Sequence, residues 1–259
     1  MFWIWLPPWR RCSIREAACK LQRWFGIAVS GAPAGLEAEG AGKPELVREK
    51  EGRNPPLHFA LTGVDHAHPY LQRRGIDHAT AAEFGMGFYG GPGLMNGRIV
   101  IPIRNPSGEI VAYAGRALDS RSPKYKLPAG FRKAWELFNI QRAAATSSQT
   151  VIVVEGYFDC VRVHQAGFPC VVALMGSSLS ASQERVLVER FERVFLMLDG
   201  DAAGRAASRV IGTRLSETCC VALVNVPEGK QPDQLSPTII QDLILKATRP
   251  TLLPAKQNS

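Results

Sequence analysis

At 259 residues the chain is long enough for one large domain or two smaller ones, and 46% hydrophobic with 21% charged residues is the make-up of a globular protein, not a disordered or fibrous one. The opening Met1-Phe2-Trp3-Ile4-Trp5-Leu6-Pro7-Pro8 is too short to cross a bilayer and lacks a charged leader and cleavage site. No other run approaches spanning length, so a cytoplasmic protein without a membrane partner is expected. The net charge of +8 points to a polyanionic partner, and its distribution sharpens that: between residues 98 and 142, nine Lys/Arg against three Asp/Glu leave +6.

Ser13-Ile14-Arg15-Glu16 has the form of a capping box, and Ile14, Ala17, Ala18, Leu21, Trp24 and Phe25 follow at helical spacing, so a helix is expected over residues 13–25. Residues 28–56 are rich in Ala, Gly, Pro and Glu without an apolar period and read as a flexible linker. Residues 69–74 and 78–84 read as short helices. His66 and His68 stand just before the first and lack further ligands, so they are not read as a metal pair. Residues 98–104 and 109–115 read as a hairpin turning at Asn105-Pro106-Ser107-Gly108, which makes 57–148 a mostly antiparallel, basic subdomain.

From residue 149 to 235 strands alternate with helices. Strands are expected at 151–155, 170–174, 193–198 and 220–226. Helices are expected at about 157–165, after a Ser180/Gln183 capping box, and at about 202–217. Repeated βαβ units imply a parallel sheet with right-handed crossovers, and sites in such sheets lie at the carboxyl ends of strands, where Glu155, Gly176, Asp199 and Pro227 fall. Residues 236–259 are read as a C-terminal helix and tail. The fold class is α/β: an α+β N-terminal subdomain followed by a parallel sheet flanked by helices. Cys12, Cys19, Cys160, Cys170, Cys219 and Cys220 form no C-x-x-C pair, so no zinc is expected; Cys160, Cys170 and Cys220 lie in apolar runs and read as reduced core residues.

The chemistry concentrates at two strand ends. Val151-Ile152-Val153-Val154 runs into Glu155-Gly156, and Val194-Phe195-Leu196-Met197-Leu198 runs into Asp199-Gly200-Asp201-Ala202-Ala203-Gly204-Arg205. Three carboxylates at one sheet edge repel, so they take up protons or hold a cation. Oxygen ligands without Cys or His favour Mg²⁺ or Mn²⁺, the ions of phosphoryl and nucleotidyl transfer. Gly200 and Gly204 keep backbone bulk away from a bound phosphate.

This Glu-Gly and D-G-D-x-A-G-R pair resembles the toprim domain shared by primases, topoisomerases and some nucleases. Upstream, Gly97-Arg98-Ile99-Val100-Ile101-Pro102-Ile103, Ala114-Gly115-Arg116, Pro123-Lys124-Tyr125 and Phe131-Arg132-Lys133-Ala134-Trp135-Glu136-Leu137-Phe138-Asn139 look like the catalytic core of bacterial DnaG-type DNA primase. Tyr70-Leu71-Gln72-Arg73-Arg74-Gly75-Ile76 is similar to the helix that opens that core. The motifs run in order from about Tyr70 to Leu235. The resemblance implies primer synthesis on single-stranded DNA from ribonucleoside triphosphates, with Glu155, Asp199 and Asp201 as catalytic and metal residues and Asp233 as a further metal ligand. It makes Arg98, Arg116, Lys124 and Lys133 the nucleic-acid and nucleotide contacts, and a replicative helicase or a separate zinc-domain protein the further partner.

Two departures stand out. Where that family carries a second acidic pair, this chain has Pro227-Glu228-Gly229-Lys230-Gln231-Pro232-Asp233, with Gln231 in place of an acid. Residues 1–27 look like the last helix of a primase zinc domain without its Cys/His ligands, which suggests a truncated or diverged primase of a mobile element. Trp3, Trp5 and Trp9 read as a remnant of that domain's core or a partner contact, ahead of base stacking. The alternatives are a toprim nuclease, a topoisomerase fragment (for whose tyrosine domain there is no room), or a DNA-binding accessory protein whose site has decayed.

Overall fold

The structure, a computed structural model, describes residues 52–119 and 123–248. By its contacts the chain divides into Met1–Arg48 and Glu49–Ser259, and the described residues all fall in the second unit. The helix expected over 13–25, the tryptophans near the start, most of the linker and the tail after 248 lie outside them. Among the described residues no helix is long and apolar enough to cross a membrane.

The first half is helical, then antiparallel. Helix α1 (Pro69–Arg73) starts with proline at its first position, where the missing N–H costs nothing, and His68 caps it by accepting from the Tyr70 N–H at 3.2 Å. Helix α2 (His78–Phe84) is capped by Asp77, whose carboxylate accepts from Thr80 N at 2.7 Å. Strands β1 (Gly87–Tyr89), β2 (Arg98–Arg104), β3 (Ile110–Ala117) and β4 (Tyr125–Lys126) form a sheet in sequence order, antiparallel throughout. The β2–β3 turn closes as the sequence predicts: Asn105 Oδ1 accepts from Ser107 N and Glu109 N at 3.1 and 3.0 Å, and Gly108 takes φ 85°. The folded body begins earlier than residue 57, because Asn54 is buried and bridges Arg132 and Glu136.

The second half is the expected alternation. Helix α3 (Ile140–Ala145) leads to β5 (Thr150–Val154), α4 (Tyr157–Gln165), β6 (Val171–Ala173), α5 (Ala181–Arg190), β7 (Arg193–Leu196), α6 (Ala202–Leu215), β8 (Cys220–Leu223) and α7 (Pro237–Thr248). The sheet order is β6-β5-β7-β8, and every pair is parallel. Leu187, Ile211 and Leu215 of α5 and α6 cover one face, against Val151, Val153 and Val194. On the other face α4, buried along most of its length, is shared with Ile99, Ile101, Ala112 and Ala114 of the antiparallel sheet. Both sheets therefore belong to one core. Cys220 is exposed and Cys219 buried, the reverse of the expected register: β8 is an edge strand, and a shift of one residue turns every side chain to the other face.

Gln183 ties three pieces together. Its side chain closes the Ser180 capping box, and its buried Nε2 donates to the carbonyls of Glu136 and Leu174 at 2.8 and 3.0 Å. Gln183→Ala leaves those carbonyls unsatisfied and is expected to cost about 2 kcal/mol. A lower urea midpoint at unchanged slope checks this.

Candidate active site

The chain leaves β5 for β6 on one side and returns through α5 to β7 on the other. The carboxyl ends of β5 and β7 therefore flank the point where strand order reverses, the usual crevice of such sheets. Glu155 follows β5, and Asp199 follows the buried Met197-Leu198 beyond β7. The two meet: Asp199 N–H donates to Glu155 Oε1 at 3.2 Å. Gly176, past β6, donates its N–H to the Glu155 carbonyl at 3.2 Å.

Helix α4 starts directly after Glu155-Gly156, and this brings in an acid that the sequence reading did not single out. Asp159 is buried, with Oδ2 accepting from Gly156 N at 3.1 Å and Oδ1 from Asp233 N at 3.0 Å. Its signal was present: four residues after Glu155 is one turn into a helix that folds back on the strand end. The Asp233 carboxylate is paired with Arg74, another residue not foreseen. Asp201 is exposed and caps α6, its Oδ1 accepting from Gly204 N at 2.7 Å. Asp199 Oδ2 accepts from the Gln231 amide, while its Oδ1 is buried with no hydrogen-bond partner.

This crowding moves proton affinities. Burial, then the charge of Asp199, pushes Glu155 up to about 7, and the same two causes push Asp159 up to about 7. Burial also raises Asp199, against the pull of the Gln231 amide. Among the described residues no three His, Cys, Asp or Glu side chains are arranged as they stand to hold a metal ion. Asp201 is turned to its helix and one Asp199 oxygen to Gln231. The donor chemistry nevertheless fits a hard divalent cation: oxygen-only ligands, an orphaned buried Oδ1, and two acids held far above their ordinary range by burial and by a neighbouring carboxylate.

The expected basic residues are placed unequally. Arg116 stacks over Tyr125 and Phe158, 5.0 and 6.0 Å from the ring centroids. Lys124 is exposed as a residue, yet partial desolvation, then Arg116 and Arg74, lowers its proton affinity, with Asp199 and Asp159 opposing. Lys133 donates to the Met175 carbonyl at 3.1 Å, at the mouth of β6. Arg98 is buried, its Nη1 shared between the carbonyls of Gly115 and Pro123 at 3.1 Å each. His66 Nδ1 lies 2.6 Å from the Met86 carbonyl and His68 stacks on Phe88, so the two are separately engaged.

Residues 93–144 match the family described as the N-terminal domain of the DNA primase catalytic core, and residues 152–236 match the Toprim-like family. The DNA primase of Halalkalibacterium halodurans is 32% identical over 235 residues, covering 85% of this chain and 38% of that protein. Among solved structures, the Aquifex aeolicus primase (zinc-binding and RNA polymerase domains) superposes with a TM-score of 0.62 at 28% identity, over 69% of this chain and 55% of that one. A DnaG primase catalytic domain bound to single-stranded DNA gives 0.61 at 25% identity, over 70% and 71%. The chain has a DnaG-type primase core. It spans less than half the length of the curated primases it matches, from 24% to 44%. Within this primase core, Glu155, Asp159, Asp199 and Asp201 all lie in the toprim-like half and Arg98, Arg116, Lys124 and Lys133 in the other.

Glu155 has an ordinary value of 4.5 and is held near 7 in the fold, so the unfolded chain gives up its proton first. Its contribution to stability is full below the ordinary value and is lost as pH rises toward 7. The Tm of Glu155→Gln should therefore gain on that of the wild type between pH 4.5 and 7.5, by a few degrees. Millimolar Mg²⁺ should restore the wild type and not the variant. Thermal unfolding across pH, with and without the ion, measures both.

Proposed function

We propose that this core is a primer-synthesising nucleotidyltransferase, joining ribonucleoside triphosphates on a single-stranded DNA template. The observation that carries the reading is the pair Glu155–Asp199, hydrogen-bonded across the switch point of a sheet whose partner subdomain is that of a primase core. Glu155, Asp199 and Asp201 would hold Mg²⁺ or Mn²⁺, with Asp201 released from its cap and Asp233 behind Asp159. When bound, the ion supplies charge neutralisation on the triphosphate and Lewis acidity at the reacting phosphorus.

The protein's own part is positioning. Arg116 presents a cationic group from β3 and Lys124 one from the residue before β4, and Lys133 presents another, fixed on Met175. Together they bind triphosphate and template phosphates and align a 3′-hydroxyl with the incoming nucleotide. Arg98 acts from inside, holding the strand that carries Gly115-Arg116 to the segment that carries Lys124. No side-chain nucleophile is required. The Aquifex structure's zinc-binding domain supports a zinc-domain protein as a partner for template recognition, and a replicative helicase is the remaining expected partner.

The test is primer synthesis on single-stranded DNA with labelled ribonucleotides. Asp199→Asn should lower yield at least about a hundredfold by removing charge that acts on the transferred phosphate. Degradation of the DNA instead would indicate a toprim nuclease; binding without either product, a decayed accessory protein.

DNA affinity should fall steeply with salt, and Lys124→Ala and Lys133→Ala should each reduce the slope by about one. Fluorescence anisotropy on single-stranded DNA from low to physiological salt measures this.

A further inference from the structure

The two oxygens of Asp199 differ. Oδ1 is buried and unpartnered, while Oδ2 accepts from Nε2 of Gln231. Gln231 is exposed, so packing does not hold it; its backbone does. Gly200 N–H donates to the Lys230 carbonyl at 2.8 Å, and Gly229 N–H returns to the Gly200 carbonyl at 3.2 Å. A Cβ on Gly200 would sit 2.0 Å from the Pro227 oxygen, so only glycine lets the two loops close this far. Beyond Gln231 the chain enters a 3-10 turn (Pro232–Gln234), and Gln234 Oε1 accepts from Gln231 N at 2.9 Å. The amide is thus held on the acid by a fixed frame.

An amide N–H is a neutral donor. It satisfies a carboxylate oxygen without cancelling its charge, and it fills the position from which that oxygen could reach a cation. Asp233, two residues on, is matched by Arg74, and its backbone is engaged with Asp159. Asp233 Oδ1 is also buried without a hydrogen-bond partner, but the charge of that carboxylate is already matched by Arg74 through Oδ2. The unmatched acids left for a metal are Glu155, Asp199 through its inner oxygen and, once uncapped, Asp201.

We propose that this site takes a single divalent cation, with Gln231 acting as a positioning residue that occupies Asp199 Oδ2 and turns Oδ1 toward that cation. The proposal rests on the metal reading of Glu155, Asp199 and Asp201 given above. The amide occupies the oxygen that a second ion would need, and it does so before any metal arrives.

The experiment is Mn²⁺ titration of the metal-free full chain, without nucleotide or DNA, followed by the paramagnetic resonance signal of free Mn²⁺. Wild type should bind one ion, strongly weakened in Asp199→Asn. Gln231→Glu keeps the side-chain length but sets a second negative charge against Asp199, and should bind two. Gln231→Ala removes the donor without adding charge; it should still bind one ion, about tenfold more weakly, as expected on losing a group that orients a ligand. Two ions in the wild type, both sensitive to Asp199→Asn, would overturn the single-ion site and leave the metal reading standing. Binding by both Gln231 variants identical to wild type would remove Gln231 from the site. No Mn²⁺ bound by the wild type would overturn the metal reading, and this proposal with it.

Discussion

Desolvation of crowded carboxylates at one sheet edge, added to by their mutual repulsion, governs the local architecture. Glu155 and Asp159 are each lifted to about 7 by burial and by Asp199. What makes the cluster tolerable is a set of fixed donors. Gly156 N–H serves Asp159, Asp199 N–H serves Glu155, Gly204 N–H serves Asp201, and Asp233 N–H serves Asp159 again. All four are backbone groups, at strand exits and helix starts. Both α4 and α6 also begin at this edge, so the positive ends of two helix dipoles point toward the acids. A site stabilised by backbone donors has little freedom to relax, and for that reason its remaining charge is available to an incoming cation.

The same geometry explains why the basic subdomain and the acidic sheet act together. Helix α4 is covered by the parallel sheet on one side and by β2 and β3 on the other. Phe158 on α4 lies beneath the guanidiniums of both Arg74 and Arg116. Arg74 then reaches Asp233, so α1, α4 and the loop after β8 are joined by one ion pair and one stacked ring. Cations and acids are therefore gathered around a single packed helix, and their spacing is set by a core instead of by surface loops.

Much of this was legible from residue order alone, for reasons that differ by element. Val151–Val154 and Val194–Leu198 are apolar without alternation because α4 covers one face of the sheet and α5 and α6 the other, and a carboxylate ending such a run has few structural uses. The β2–β3 hairpin was legible because Asn105 and Gly108 are each demanded by the turn. Strands β1 and β4 were not, since three and two residues carry no period and exist only by pairing with longer neighbours. Helix α3 escaped because it is six residues long and begins at Asn139, a non-glycine residue at φ 70° whose side chain is anchored on the Val171 carbonyl. Asp159 was not singled out, and Arg98 was read as a nucleic-acid contact, because burial of a polar group depends on partners distant in sequence. Gln231 was visible as a missing acid, but its role as a donor to Asp199 follows only from the closure of two loops on Gly200.

Lys133 shows how a cation becomes a placed charge. Met175 sits at φ 60°, a left-handed conformation that costs a non-glycine residue about 1–2 kcal/mol and persists only where its surroundings over-determine it. Here they do. Phe138 and Ala173 exchange both backbone hydrogen bonds just before it, the Leu174 carbonyl is held by Gln183, and Gly176 N–H is held by the Glu155 carbonyl. With both sides fixed, the Met175 carbonyl has one direction left, and the Lys133 ammonium meets it there at 3.1 Å. A Cβ on Gly176 would come within 3.2 Å of that nitrogen, so glycine keeps the approach open. The lysine is exposed, yet its charge is anchored by the same backbone that carries Glu155. The position of this positive group is decided by the fold, and the entropy of ordering a long side chain has already been spent in folding.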